Sequence, residues 1–350
     1  MIAQFLQMHG GYKITSLADY FPEVSLAAGE RFGVPKTRCF SGLMGYKRLL
    51  ESGVDAVFLE TPPCFFPEHG MAAVEAGCHV YMAKPVACDV PGCLRVREAA
   101  QKAKDRGTVF FVDFQIRTNP LIAQGIEKVR NGEIGPIGML RSLWIDTGYS
   151  DPEFTGTIES RLQRLIWVND NALGGGYHVC AAIHIIDEAL WLVGENPASA
   201  VGVSRAVRGD PQGDSHDAYA ITYEFANGAV LNHFGDHRKT NNFDLRCTAH
   251  CRDGYLELGY NGRVLLHQRN GDWGGEVKDL YEGGTKRNIA TFHDDILAGN
   301  RENTTVEPSV NAALASILGR DAAAKKTRMT WDEMMTANRR LTPNLEGLKM

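Results

Sequence analysis

Apolar and polar positions follow two rhythms along this chain. From Lys13 to Phe114, apolar runs of strand length alternate with amphipathic stretches of helical length. Lys13-Ile-Thr-Ser-Leu-Ala18 reads as a strand with Asp19 directly after it, followed by a helix over Val24–Phe32, a short strand over Thr37–Phe40 and a helix over Leu43–Ser52 closed by Gly53. Val54-Asp-Ala-Val-Phe-Leu59 is almost continuously apolar, as expected of a strand covered on both faces, and runs into Glu60-Thr61-Pro62-Pro63. A helix over Pro67–Ala76 stops at Gly77, and the strand His79–Met82 ends at Ala83-Lys84-Pro85. Pro91 opens a helix to about Arg106, and Thr108–Phe114 is one more apolar strand. Such alternation predicts a parallel sheet with helices on both faces.

From Asn119 the rhythm changes. A helix over Leu121–Arg130 precedes a strand over Gly138–Asp146, a long polar stretch over Thr147–Leu173, and a helix from near Tyr177 to about Val193. Strands are then predicted near Ala200–Val207, Asp217–Phe225, Ala229–Phe234, Asp244–His250, Gly254–Leu258 and Arg263–His267, with hairpin turns at Asn227-Gly228 and Asn261-Gly262. Helices near Ile289–Leu297, Val310–Lys325 and Trp331–Arg340 close the chain. The expected class is α/β, with two domains. Residues 1–118 form a Rossmann-type, doubly wound parallel sheet, and 119–350 form an α+β domain with a large, open, mostly antiparallel sheet.

The opening, Met1-Ile-Ala-Gln-Phe-Leu-Gln-Met-His-Gly-Gly11 and then the strand ending in Asp19, has the form of the second half of a dinucleotide-binding βαβ unit. Its first strand and glycine-rich turn belong upstream of Ile2. The expectation is therefore that Met1 is an internal methionine, that the strands of Asp19 and Val54 lack the partner between them, and that the sequence as written binds a dinucleotide weakly.

The 350 residues exceed one ordinary core, and 44% apolar and 23% charged residues fit a globular protein. A net charge of -5 with no long basic cluster argues against nucleic acid and anionic membrane as partners. No apolar run approaches the ~20 residues of a membrane span, and no signal-peptide pattern is visible. The eight cysteines are scattered among apolar neighbours, which suits free thiols and a cytoplasmic location, although an export signal upstream stays open. Cys247-Thr-Ala-His250-Cys251 lacks a second pair of ligands, so no metal is expected.

Ligands of an open parallel sheet sit beyond the carboxyl ends of its strands, where Asp19, Glu60-Thr61-Pro62 and Lys84-Pro85 stand. Asp19 can accept hydrogen bonds from a ribose diol; no Lys or Arg follows it before Arg31, which favours NAD over NADP. Lys84 closes a buried strand and is pinned by Pro85, a place suited to exchanging a proton with a substrate hydroxyl. In the helix after Gly174-Gly-Gly176, the residues Cys180, His184, Asp187, Glu188 and Trp191 share one broad stripe, and Asp187 is the expected partner that orients His184.

These parts together resemble the Gfo/Idh/MocA oxidoreductases, the family of glucose–fructose oxidoreductase and inositol dehydrogenase. Thr61-Pro62 resembles the family's strand end, Ala76-Gly-Cys-His-Val-Tyr-Met-Ala-Lys-Pro85 its "AGKHVxxEKP", and Gly174-Gly-Gly176 with Ile183-His-Ile-Ile-Asp187 its "GGG…IHxxD" helix. The resemblance implies NAD bound by Asp19, Thr61, Pro62, Lys84, Pro85 and Gln115. It implies a sugar, sugar acid or cyclitol bound by Lys84, His178, Cys180 and His184, with Lys84, His184 and Asp187 catalytic. It also implies a homo-oligomer, dimer or tetramer. Three positions depart from the pattern: Ala83 replaces a glutamate, Cys180 an acidic residue and Phe66 a histidine. His178 is the nearest titratable substitute for position 180, but it points to another side of the helix. The implied reaction is oxidation or reduction of a CH–OH group. The alternatives are a redox-cycling glycosidase or lyase that restores its NAD, or a sugar sensor without turnover.

Overall fold

The computed structural model describes residues 1–153, 155–209, 212–238 and 243–350. In the first part of the chain α1 (Ile2–His9), α2 (Pro22–Phe32), α3 (Gly45–Glu51), α4 (Phe66–Glu75) and α5 (Val90–Asp105) alternate with the strands β1 (Leu17–Asp19), β2 (Cys39–Ser41), β3 (Ala56–Leu59), β4 (His79–Ala83) and β5 (Phe110–Asp113). All five strands are parallel, but they form two separate sheets, β1-β2 and β3-β4-β5. The interruption falls between β1 and β3, where the sequence predicts an unpartnered pair of edges. The strand ending in Asp19 is also shorter than its apolar run, since only Leu17–Asp19 finds a partner.

The β3-β4-β5 sheet is covered on both faces, which is why its strands read as apolar runs. Phe5 and Leu6 of α1 pack with Tyr81, Val109 and Phe111 on one face. Val74 of α4 and Val96 and Ala99 of α5 join the core built on Val80, Met82 and Val112. The chain opens α5 with Asp89, whose Oδ1 accepts from the Gly92 N–H at 2.8 Å while Oδ2 accepts from Leu341 N–H at 2.7 Å.

Beyond a 3₁₀ turn at Gln115–Thr118 and α6 (Pro120–Arg130) come β6 (Ile137–Ile145) and three helical segments, α7 (Asn171–Gly174), α8 (Gly176–Cys180) and α9 (Ile183–Val193). Seven strands follow: β7 (Ser199–Arg205), β8 (Ala218–Glu224), β9 (Val230–Asp236), β10 (Asp244–Cys251), β11 (Gly254–Gly259), β12 (Arg263–Gln268) and β13 (Trp273–Glu276). Then come α10 (Leu280–Ala298), α11 (Val306–Lys325), β14 (Met329–Thr330) and α12 (Trp331–Ala337). The nine strands from β6 onward form one sheet in the order β13-β12-β11-β10-β6-β9-β8-β7-β14. Every neighbouring pair is antiparallel except β6 and β9, which run parallel. Asn227-Gly228 joins β8 to β9, with Gly228 at φ 89°, as the hairpin signal predicts.

Side chains alternate across this sheet. Tyr219, Tyr223, Leu231 and Trp144 point inward, where α9 and α11 lie over the strands. Val203, Ala220, Phe234 and Leu143 stand in register across four strands on the outer face. α10 reaches back to the parallel half, burying Ile289 and Phe292 against Tyr81 and Phe111. Two expectations need correction. The helix predicted from Tyr177 to Val193 is broken at Ala181–Ala182 into α8 and α9. The sheet also gains β13 and β14, whose short runs carry no strand periodicity of their own.

Candidate active site

The site lies where the carboxyl ends of β3, β4 and β5 meet α9 and the end of β6. Lys84 directly follows β4, and its cis peptide bond to Pro85 begins the next turn. The half-buried Nζ donates to the Cys180 carbonyl at 2.7 Å, at the break between α8 and α9. The sequence-predicted pair of Lys84 and the glycine-preceded helix therefore do meet, through the backbone of Cys180.

His184 is buried on the first turn of α9. Its ring lies flat on Trp144 of β6 (centroids 5.5 Å apart, 19° between planes) and edge-on to Phe114, which follows β5 (5.6 Å, 82°). Tyr260 closes the third side at 5.1 Å. Burial, with the Lys84 charge adding to it, holds the imidazole well below its ordinary pKa, so it is neutral. Its Nδ1 has no hydrogen-bond partner. A neutral imidazole beside an ammonium is an acid–base pair with one proton acceptor free.

Acidic groups face Lys84 from the sheet. Asp113, at the end of β5, is buried, and burial raises its carboxyl to about 6 against the hydrogen bonds and the Lys84 charge that favour ionisation. Its Oδ1 accepts from Asn288 Nδ2 at 2.6 Å. Glu60, after β3, keeps surface open to water although protein crowds it. That crowding, then the Asp113 charge, pushes it up to about 8, with the N-terminal ammonium and Lys84 opposing.

The expected cofactor residues are spread along the same strand ends. Thr61 follows β3 with a buried Oγ1 that has no partner, and Gln115, in the 3₁₀ turn after β5, has an unpartnered Oε1 while its Nε2 donates to Asp113 Oδ2 at 3.4 Å. Pro62 and Pro85 are buried beside them. Asp19 stands on the other, two-stranded sheet; its Oδ1 accepts from the Phe21 N–H at 2.9 Å, which leaves Oδ2 open. Burial, and Glu23 beyond it, raise the Asp19 carboxyl, with the Phe21 N–H opposing. Unpartnered acceptors at Asp19 and Gln115 and a free hydroxyl at Thr61 fit the hydroxyl and amide groups of a nicotinamide dinucleotide.

Three placements differ from the sequence reading. Asp187 does not orient His184. Arg117, from the 3₁₀ turn, grips it twice, Nε to Oδ2 at 2.9 Å and Nη2 to Oδ1 at 2.8 Å, because a guanidinium fork matches a buried carboxylate better than an imidazole does. Arg117 also lies over the Trp191 ring at 4.8 Å, so the outer end of the predicted stripe serves this ion pair. His178 faces the far side, its Nε2 2.7 Å from Tyr223 Oη and its ring 4.8 Å from His233, and does not join the Lys84 group. The sequence reading missed Trp144, Asp146, His237 and Tyr260. The one signal for them was the acidic end of the predicted strand Gly138–Asp146.

A Rossmann-type sheet meeting a large open sheet, with a lysine and a neutral histidine between them, defines a two-part nicotinamide oxidoreductase fold. The chain belongs to the Gfo/Idh/MocA oxidoreductase family. The family's NAD-binding Rossmann-fold model matches residues 1–112, and its C-terminal domain model matches residues 123–257. Levoglucosan dehydrogenase of Pseudarthrobacter phenanthrenivorans is 28% identical over 281 residues, covering 73% of this chain and 65% of that one. The chain thus spans just under two thirds of that relative's length. Inositol 2-dehydrogenase of Rhizobium meliloti is 23% identical over 318 residues, 89% of this chain and 88% of its own. In fold, the crystal structure of myo-inositol 2-dehydrogenase from Lactobacillus plantarum superposes with a TM-score of 0.73 at 20% identity, over 94% of this chain and 95% of that one.

Proposed function

We propose that the protein is an NAD-dependent dehydrogenase acting on a CH–OH group of a sugar or cyclitol. The observation that carries this reading is Lys84 at the end of β4, its Nζ 2.7 Å from Cys180 O just before the helix that carries the neutral His184. In the oxidising direction the Lys84 ammonium first passes a proton to the neutral His184, and the resulting Lys84 amine takes the proton of the substrate hydroxyl. When bound, the nicotinamide ring supplies the hydride acceptor. Asp19 would receive the adenosine ribose, and Thr61, Pro62, Pro85 and Gln115 would line the nicotinamide side. Asp19 with no basic residue next to it in the chain supports NAD over NADP.

Residues 1–118 then serve as the cofactor unit and 119–350 as the substrate unit. A homo-oligomer belongs to the same reading: Val203 and Phe234 are 55% and 47% exposed on the outer sheet face, an apolar patch suited to a second copy. Sedimentation would show it.

The test is turnover of polyols with NAD. Net NADH formation supports the dehydrogenase, and Lys84→Ala should then cut turnover at least ~100-fold while NAD still binds. Near-normal turnover with an unchanged pH profile would remove Lys84 from the chemistry. Release of a glycosidic product without net NADH would instead support redox cycling, and polyol binding without any turnover a sensor.

A further inference from the structure

Position 180, four residues before His184, carries a thiol where the family pattern has an acid, so α8 offers the site no carboxylate. A carboxylate is present nevertheless, from another element. Asp146 directly follows β6, with 20% of its side chain exposed. Both of its oxygens are held from within the protein. His237, just after β9, places Nδ1 2.8 Å from Oδ1, and Trp144 Nε1 donates to Oδ2 at 2.7 Å. The same Trp144 lies flat against His184. His237 is itself immobilised, buried and stacked on Tyr177 at 4.6 Å.

The parallel pairing of β6 with β9 explains the arrangement. In a parallel pair both carboxyl ends emerge on one edge, so Asp146 and His237 are delivered side by side; Asp146 N–H also donates to Asp236 O at 3.0 Å. Cys180 lies within reach of both charges. Burial raises its thiol pKa, Lys84 opposes the rise and Asp146 adds to it. A carboxylate with one donor on each oxygen still has a lone pair free on each, and it can only accept.

We propose that Asp146 is the substrate-contacting carboxylate of this site. It accepts a hydrogen bond from a ligand hydroxyl next to the reacting carbinol, in place of the acid absent at position 180. His237 and Trp144 are its positioning residues. A carboxylate that can only accept selects a ligand hydroxyl, so the ligand class is a polyol with adjacent hydroxyls. The inference rests on the dehydrogenase reading for the identity of the carbinol, but not for the contact itself.

The experiment uses myo-inositol and levoglucosan, each with its monodeoxy analogues, as probes. Binding is read by calorimetry and turnover by NADH formation. Asp146→Asn should weaken polyol binding and raise KM about 10- to 100-fold, the scale of one charge-assisted hydrogen bond, with a smaller effect on kcat. The penalty should vanish for the one deoxy analogue that lacks the contacted hydroxyl. Adding Cys180→Asp to Asp146→Asn should restore binding at least partly, a rescue that a merely structural role would not give. Unchanged polyol affinity in Asp146→Asn, or an equal loss on every analogue with no rescue, overturns the proposal. Polyol binding that depends on Asp146 without any NADH formation would sink the dehydrogenase reading and leave Asp146 in place.

Discussion

At the scale of single residues, the site depends on which charges are held and which are free. Asp187 is fully buried and held by Arg117, not by His184. His184 is held only by aromatic faces, leaving its Nδ1 unpaired and the ring uncharged beside Lys84. This makes His184 the group to test after Lys84. His184→Asn should lower turnover by about 100-fold or more while NAD affinity stays near that of the parent, since the ring faces Lys84 and the strand ends of both halves. Fluorescence titration with NADH alongside steady-state kinetics separates the two. A collapse of NAD affinity with turnover of the bound enzyme retained would make the ring a packing residue. Lys84 and His184 stand out in the sequence because each is placed where a buried strand or an apolar helix has no structural use for it. The partner of Asp187 was not legible: Arg117 lies 70 positions away in sequence, and only folding brings the fork to the carboxylate.

At the scale of elements, helices are seated on the large sheet with almost no clearance. Gly319, in the middle of α11, lies against Tyr223 of β8, and a Cβ there would run into the Tyr223 hydroxyl and come within 3.0 Å of His178 Nε2. Those two atoms make a 2.7 Å hydrogen bond in a fully buried setting. Gly319→Ala gains up to ~1 kcal/mol of helix propensity. It loses ~1–3 kcal/mol to overpacking and a similar amount to the broken pair. The expected net loss is about 2 kcal/mol, read as a lower urea midpoint at unchanged slope. Tyr223→Phe in the same background should recover part of it by removing the colliding oxygen. A variant as stable as the parent would mean that α11 can slide away from the sheet. The break between α8 and α9 belongs to this scale as well. Sequence periodicity runs straight through Ala181–Ala182, and nothing local announces that Lys84 will be drawn to the Cys180 carbonyl there.

At the scale of the whole molecule, burial of neutral histidines ties stability to pH. His69 of α4 is stacked between Tyr46 (4.0 Å) and Phe65 (5.6 Å), and burial lowers it to about 4 from the ordinary histidine value of 6.5, with Glu68 opposing. Between these values the unfolded chain binds the proton and the folded one does not. Stability is therefore intact above about 6.5, and is lost as the pH falls toward 4. His69→Phe keeps the stacking and removes the proton. Relative to the parent it should gain about 2 kcal/mol on going from neutral pH to about pH 5. Denaturant titrations at the two pH values check this, and a difference that does not change with pH would show that water reaches the ring in the folded protein. His178, His184 and His233 are shifted the same way by burial, so the parent should unfold more readily in mild acid than its net charge implies.

The sequence by itself determined the kind of fold and the strand ends at which its charged residues stand. Strands covered on both faces must be apolar throughout, strands covered on one face must alternate, and the change from one rhythm to the other near Asn119 marks where the parallel strands end and the large sheet begins. Strand ends are also readable, because a charge such as Lys84 or Asp19 placed directly after an apolar run has few structural reasons to be there. The tertiary structure alone decided who pairs with whom. The parallel docking of β6 beside β9 sets Asp146 against His237, the fork of Arg117 takes Asp187, and Trp144 rather than a carboxylate backs His184. Each of these contacts joins residues more than 35 positions apart, so each depends on strand order and register, which local periodicity does not encode.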